Sequence, residues 1–252
     1  MKTIDLNSDL GEGFGPYRMA DDATLLDIVS SANIACGAHA GDPVIMDRTV
    51  RDAMARGVAL GGHVGYPDRQ GFGRRAMSMT LKELELMTIA QLGALSAIAV
   101  HAGGRLTHAN FHGALGNLSF VDEDVARTLI GALKGFDPDL HFIGLPHTAA
   151  FRQAEIHNVQ TVGSFLADRG YKPDGTLMAR GMAGAVIHDG DTIKQRVARV
   201  LQEGVVEAVD GTVIAMPARS ILIHSDTEGA VELAKVIRQA VLDAGFVISY
   251  FR

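Results

Sequence analysis

Cysteine is nearly missing from this chain. Cys36 is the only one among 252 residues, which excludes an internal disulfide and any zinc–thiolate cluster built within one chain. Positive charge is also short. Lys and Arg number 23 against 29 Asp and Glu, a formal net charge of −6, so the chain lacks the basic face that nucleic acid or an acidic membrane surface requires. No stretch reads as the ~18 consecutive apolar residues that span a bilayer, and the apolar segment from Leu92 to Val100 is interrupted by Gly93 and Ser96. The opening MKTIDLNSDL carries aspartates where a signal peptide needs an apolar stretch. Cytoplasmic residence is the expectation. No linker, low-complexity run or short repeat divides the sequence, so residues 1–252 are expected to form one domain.

What is present is a globular composition, 47% hydrophobic and 21% charged, in a chain long enough to bury a substantial core. A short apolar run, a Gly-rich polar loop and a helical segment recur in that order. Strands are expected at Thr3–Asn7, Ser31–Ala35, Val58–Gly62, Leu106–Phe111, Leu140–Leu145, Gln160–Leu166, Ser220–His224 and Phe246–Tyr250. Helices are expected at Ala23–Ser30, Val44–Arg56, Thr80 to about Gly103, Asp122–Lys134, His147–His157, Asp191–Gly204 and Glu228–Ala244. Thr80 and Glu83 have capping-box spacing, and Asp42-Pro43 reads as an N-cap followed by a first-turn proline. Repeated βα units imply parallel strands with right-handed crossovers. No G-x-G-x-x-G follows the first strand, which argues against a dinucleotide-binding sheet. Polar residues after nearly every strand favour a closed β/α barrel of seven or eight units whose loops converge on one face.

Four segments carry the chemistry. In the first, strand parity puts Asp5, Asn7 and Asp9 on one face. Carboxylates buried there are costly unless paired, hydrogen-bonded or metal-bound; the competing reading is a solvated turn after an edge strand. The second, Ser31 to Pro43, offers His39 and Asp42 at a strand-to-helix junction, with Asp42 equally explained as a cap. Cys36 lacks any activating neighbour in sequence and reads as packed. The third places His63 at a strand end before a long Gly/Pro loop containing Asp68, Arg74 and Arg75. The two arginines could hold a carboxylate or phosphate, or be an ordinary solvated pair. The fourth gives His108, Asn110 and His112 a common parity, with His112 towards the site and His108 at the opposite end of the strand. Asp168, Arg169, Arg180, His224 and Asp226 are later candidates. His141, His147, His157 and His188 read as surface or packing histidines.

A His/Asp/Glu set spread over strand ends suits either a divalent metal, with Asp9, His39 and His63 as ligand candidates, or a general acid–base array. No H-E-x-x-H, EF-hand, G-x-S-x-G or P-loop pattern occurs.

Taken together, DLNSDLGEGFG at 5–15, SANIACGAHAGDP at 31–43, PDRQGFGRR at 67–75, HGAL at 112–115, ADRGYKPDG at 167–175 and HSD at 224–226 resemble the LamB/YcsF family, which contains the A-type component of bacterial ATP-hydrolysing 5-oxoprolinase. The resemblance implies a seven-stranded β/α barrel of the glycoside hydrolase/deacetylase type. It implies ATP-dependent opening of 5-oxo-L-proline to L-glutamate, ATP with Mg²⁺ as cofactor, and B- and C-type partner subunits; a homo-oligomer is compatible with it too. Asp9, Glu12, His39, His63 and His112 are the matching positions for acid–base or metal-assisted work. Asn7, Asp42, Asp68, Arg74, Arg75, Asn110, Arg180 and Asp226 match as substrate- or phosphate-binding positions. The sequence departs from the family pattern at Asn110, Phe111, Gly116, Ser164 and Ser225. Asn110 stands where the family has lysine, which points to a related lactam or cyclic amide as substrate. A stand-alone metal-dependent amide hydrolase or deacetylase is the alternative. A third reading is a non-catalytic component that binds a ligand or regulates.

Overall fold

The computed structural model describes residues 2–179, 181–227 and 229–251. Along the chain the elements run β1 (Thr3–Leu10), α1 (Asp22–Leu26), β2 (Ser31–Ala35), α2 (Pro43–Ala55), β3 (Ala59–Val64), α3 (Leu81–His101), β4 (Leu106–Phe111), α4 (Gly113–Val121), α5 (Glu123–Phe136), β5 (His141–Gly144), α6 (Ala149–Ile156), β6 (Thr161–Leu166), α7 (Gly190–Glu203), β7 (Val205–Glu207), β8 (Val213–Ala215), β9 (Ser220–Ile223), α8 (Ala230–Asp243) and β10 (Val247–Ile248).

Strands β1 to β6 pair in sequence order, all parallel, and β9 joins β6 to β1 to close a seven-stranded barrel. The helices wrap it as one domain, as the βα alternation requires. The expected last strand does not close the ring. β10 is two residues long and pairs only with Thr3 and Ile4, while β9 takes Asp5 to Ser8 of β1. The antiparallel pair β7–β8 and the helix α4 are additions to the sequence reading. Gly113 and Gly116 make α4 look like a loop, yet each sits where a Cβ would strike a backbone carbonyl, of Gly73 and of Phe111.

The local signals act as read. Asp42 accepts from the backbone N–H groups of Val44 and Ile45 with Pro43 in the first turn of α2, and Thr80 and Glu83 cap α3 reciprocally. One expectation fails. α3 is long and apolar enough, by length and composition, to cross a membrane. It packs instead on α5 and β3, burying Leu84, Leu92, Leu95 and Ala99, while Gln91 bonds both backbone groups of Gly65.

Within β1, Ile4, Leu6 and Leu10 belong to the apolar core, whereas Asp5, Asn7 and Asp9 meet polar side chains of neighbouring strands. At the N-terminal end of the barrel Phe251 packs with Ile143 and Val162, its ring 5.6 Å from His108. Only glycine fits at position 61, where a Cβ would lie 2.1 Å from His108 Nε2. His108 is wholly buried, and burial drives its pKa down from 6.5 to about 3. The unfolded chain therefore binds a proton below pH 6.5 that the folded barrel refuses, so stability present above pH 6.5 is lost as pH falls towards 3. His108→Gln should flatten part of the fall in urea midpoint across that window. Parallel declines for the variant and the native chain would show that His108 does not titrate on unfolding.

Candidate active site

A hydrogen-bonded ladder rises along the barrel axis from Asp5. Its carboxylate accepts from the hydroxyls of Ser30, Ser31 and Ser220, although burial still holds its pKa above the usual range. Asn7 bonds Ser220 and takes an N–H from Asn33, which also donates to Asp9 at 3.0 Å and accepts from His108. Every step of the ladder except the half-buried Ser30 is buried, and all are partnered, which is what makes so polar an interior tolerable.

Above Asp9 the pattern changes: Glu12 takes donors from His39 Nε2 and the Ser225 hydroxyl, but the remaining groups turn acceptors towards one another. Glu12, His39, His63 and His112 bring one ligand atom each to within 4.8 Å of one another, all four residues buried. His112 Nε2 donates to the carbonyl of Phe72 at 2.7 Å, so Nδ1 of the neutral ring carries the lone pair. His63 Nδ1 donates to Asn110 Oδ1 at 2.6 Å, leaving the lone pair on Nε2. Those two bare nitrogens lie 2.9 Å apart, with Glu12 Oε1 at 3.6 and 3.7 Å and Asp9 Oδ1 at 3.5 Å from His63. Four electron-rich atoms cannot face each other in a buried space without a cation, either a shared proton or a metal ion. The outer nitrogens are held by a carbonyl and an amide oxygen, the usual support of metal-binding imidazoles.

Electrostatics agree with that need. Burial first, and then the charges of Asp9 and Asp226, hold the Glu12 carboxyl well above its ordinary range, against the opposing pull of Arg74. Burial, then the neighbouring histidines, holds His39 well below 6.5; burial and His63 do the same to His112. His39 stacks on His112 with centroids 3.9 Å apart, reaches Glu12 at 3.2 Å and has no partner for Nδ1 among the described residues. Gly73, at φ +63°, lets the loop lie against this stack, since a Cβ there would fall 2.8 Å from His39 Cβ.

The cluster opens into a cavity of about 570 Å³ at the C-terminal ends of the strands, where barrels of this type gather their chemistry. Asp9, Glu12, His63, Asn110, His112, Arg74 and Asp226 line it, with Arg74 ion-paired to Asp226. His39 stands outside that lining, against Glu12. Of the other predicted residues, Arg169 and His224 also line the cavity, with Asp168 behind His224, whereas Asn7 lies deep in the ladder and Asp42 serves the helix cap and Gly15 N–H at 2.8 Å. Arg75 grips Asp68 with two donors and holds its carboxyl down at about 2, fixing the loop away from the cavity lining. Arg180 lies outside the described residues. Asn110, a lost cation by sequence pattern, is the acceptor that fixes His63. Burial pushes the Cys36 thiol up to about 12, as expected of a packed residue. Sequence reasoning misses the carbonyl of Phe72 and the Ser225 hydroxyl on Glu12 at 3.4 Å; a backbone acceptor leaves no mark on residue identity.

Fold and site together define a closed, seven-stranded parallel β/α barrel with a buried carboxylate–histidine cluster. A family 4 carbohydrate esterase from Streptomyces lividans shares that fold, with a TM-score of 0.50 at 12% identity over all of this chain and 93% of that one. Residues 4–252 match the LamB/YcsF family, and the chain belongs to it. It is 50% identical over 246 residues, 98% of this chain and 96% of the relative, to a 5-oxoprolinase A-type component of Pseudomonas syringae pv. tomato. The crystal structure of a lactam utilization protein from Thermus thermophilus superimposes with a TM-score of 0.94 at 39% identity, covering both chains completely.

The converging nitrogens predict that the purified chain takes up one divalent ion, read by equilibrium dialysis. His63→Ala should abolish uptake, and Asn110→Ala should weaken it roughly 10–100-fold through the lost support. No uptake, or equal uptake by all three proteins, would show that a shared proton fills the site.

Proposed function

We infer that the chain is the lactam-opening component of an ATP-dependent 5-oxoprolinase, converting 5-oxo-L-proline or a close lactam to L-glutamate with B- and C-type partner subunits. The observation that carries this reading is one cavity in which the Glu12–His63–His112 cluster faces Arg74, in a chain half identical to a protein named as the A-type component of a 5-oxoprolinase. A five-membered lactam is an unstrained amide and needs activation before water can open it. Transfer of a phosphoryl group from ATP to its carbonyl oxygen supplies that activation. No P-loop pattern occurs in this chain, so the nucleotide and its Mg²⁺ are assigned to the partner subunits, and the reaction to the cytoplasm, where ATP is available.

In the barrel the lactam carboxylate pairs with Arg74 at the edge of the cavity, exchanging with Asp226. Bidentate pairing of this kind fixes the ring plane as well as its position. The apolar wall formed by Phe111, Phe120, Phe142 and Leu166 receives the ring methylenes and excludes water. Cavity volume exceeds what the ring alone fills, leaving room for the activated substrate. The donor set fits a divalent ion: Glu12, His39, His63 and His112 would hold it, and it would polarise the carbonyl and stabilise negative charge as water attacks. Asn110 and the Phe72 carbonyl keep the two imidazoles in the tautomers that this requires.

Native chain mixed with B- and C-type subunits, ATP and 5-oxoproline should form glutamate and phosphate in step, with neither product when any component is omitted. Arg74→Ala should raise KM at least tenfold, because a charge-assisted pair contributes about 1.5–3 kcal/mol. No turnover of 5-oxoproline or related lactams in the complete mixture would overturn the reading. The bare imidazole pair specifically favours one other reading, a metal-dependent amide hydrolase acting alone; amide cleavage by the metal-loaded chain without ATP or partners would establish it.

A further inference from the structure

We propose that Asp168 and His224 form a second proton-transfer centre on another wall of the same cavity, with His224 Nε2 as the base that draws the proton from the attacking water. The step rests on the lactam-opening reading above. Strands β6 and β9 are neighbours in register, Leu166 opposite Leu222, so the chain positions just beyond them, 168 and 224, come side by side. His224 Nδ1 stands 3.1 and 3.2 Å from the two oxygens of Asp168. A carboxylate only accepts, so Nδ1 carries the hydrogen and the neutral ring leaves its lone pair on Nε2. Asp168 is 1% exposed and His224 9%, and His224 lines the cavity. No hydrogen bond occupies Nε2 among the described residues. A histidine whose inner nitrogen is held by a buried carboxylate and whose outer nitrogen faces substrate space is the arrangement of an oriented general base.

The next two residues tie this centre to the first. Ser225 Oγ bonds Glu12 and Asp226 pairs with Arg74, so three consecutive residues address the base, the cluster and the anion site. The pair also answers a need that the cluster cannot meet. His63 and His112 each commit one nitrogen to a protein acceptor and turn the other towards Glu12, so neither is placed to carry a proton between water and the ring nitrogen. His224 is. As the water oxygen bonds to the activated carbonyl carbon, its proton passes to Nε2; when the carbon–nitrogen bond breaks, the electron pair stays on nitrogen, which takes that proton, and the phosphoryl group remains on the original carbonyl oxygen as an acyl phosphate. A second water splits that acyl phosphate to glutamate and phosphate, so two waters are consumed per ATP and no redox partner is needed. Asp168 is a positioning residue, holding the ring in the productive tautomer.

The test uses the complete assembly with its partner subunits. His224→Gln should lower kcat by roughly 10²–10⁴-fold with KM little changed, and His224→Gly should regain turnover with added imidazole. Divalent-ion uptake and urea midpoints of the single chain should stay at native values in both. Asp168→Asn should lower kcat while ¹⁵N imidazole spectra show His224 leaving the Nδ1–H form. A His224→Gln enzyme within threefold of native kcat, or a loss that imidazole does not restore and that travels with weaker folding, would overturn the proposal. If the native assembly opens no lactam, the preceding reading falls and the spectra decide the dyad: a single Nδ1–H form in the native chain, lost in Asp168→Asn, supports it, and mixed forms in the native chain overturn it.

Discussion

Three acidic and amide side chains on the inner face of β1 are the constraint around which this barrel is arranged. A parallel strand closed into a ring must turn alternate residues inward, and in β1 those are Asp5, Asn7 and Asp9 rather than aliphatics. Each has to be matched inside a dry interior. At the lower end the matching is complete: serines from β2, β9 and the turn before β2 converge on Asp5, and Asn33 couples Asn7 to Asp9. The ring of neighbours is thereby chosen by polarity as much as by packing, since a one-residue slip of β2 or β9 would leave a buried carboxylate facing backbone or methyl groups.

At the upper end the matching stops. Asp9, Glu12, His63 and His112 present acceptors to one another, supported from outside by Asn110 and the Phe72 carbonyl. The barrel thus divides β1 between a lower half that secures the fold and an upper half that lacks cations. Rigid surroundings that hold a site short of positive charge are a common cost of preorganisation. Such a site draws in an ion or a proton, and leaves substrate to meet groups that need not reorganise.

Much of this is legible in the sequence because period-two parity and strand-end position are written in residue order. Parity alone puts Asp5, Asn7 and Asp9 on one face, His63 and His112 at strand ends and His108 at the far end, and the local patterns mark Asp42 and Thr80 as caps. What stays hidden depends on partners distant in sequence. Asn110 looks like a missing cation because its role depends on His63, 47 positions away. Arg75 and Asp68 suggest an anion site because nothing in the sequence says that they satisfy each other. The ring is closed by β9 and not by the final strand because β1 offers its last free edge at Asp5 to Ser8, a matter of register that apolar runs do not encode. α3 shows the reverse error, since its apolar length is explained by the layer of helices it joins.

The division of β1 is tested most directly by urea unfolding of the metal-free chain and two variants. Glu12 is held above its unfolded value of 4.5, so its charge destabilises the folded state increasingly as pH rises from there towards the folded value. Glu12→Gln should raise the unfolding midpoint at neutral pH, with the margin narrowing as pH falls to 4.5. Asp5→Ala should lower it, because the buried Ser31 and Ser220 hydroxyls and the half-buried Ser30 hydroxyl lose their acceptor. A midpoint that falls for Glu12→Gln as far as for Asp5→Ala would mean that both ends of β1 serve stability alone, and would contradict the division.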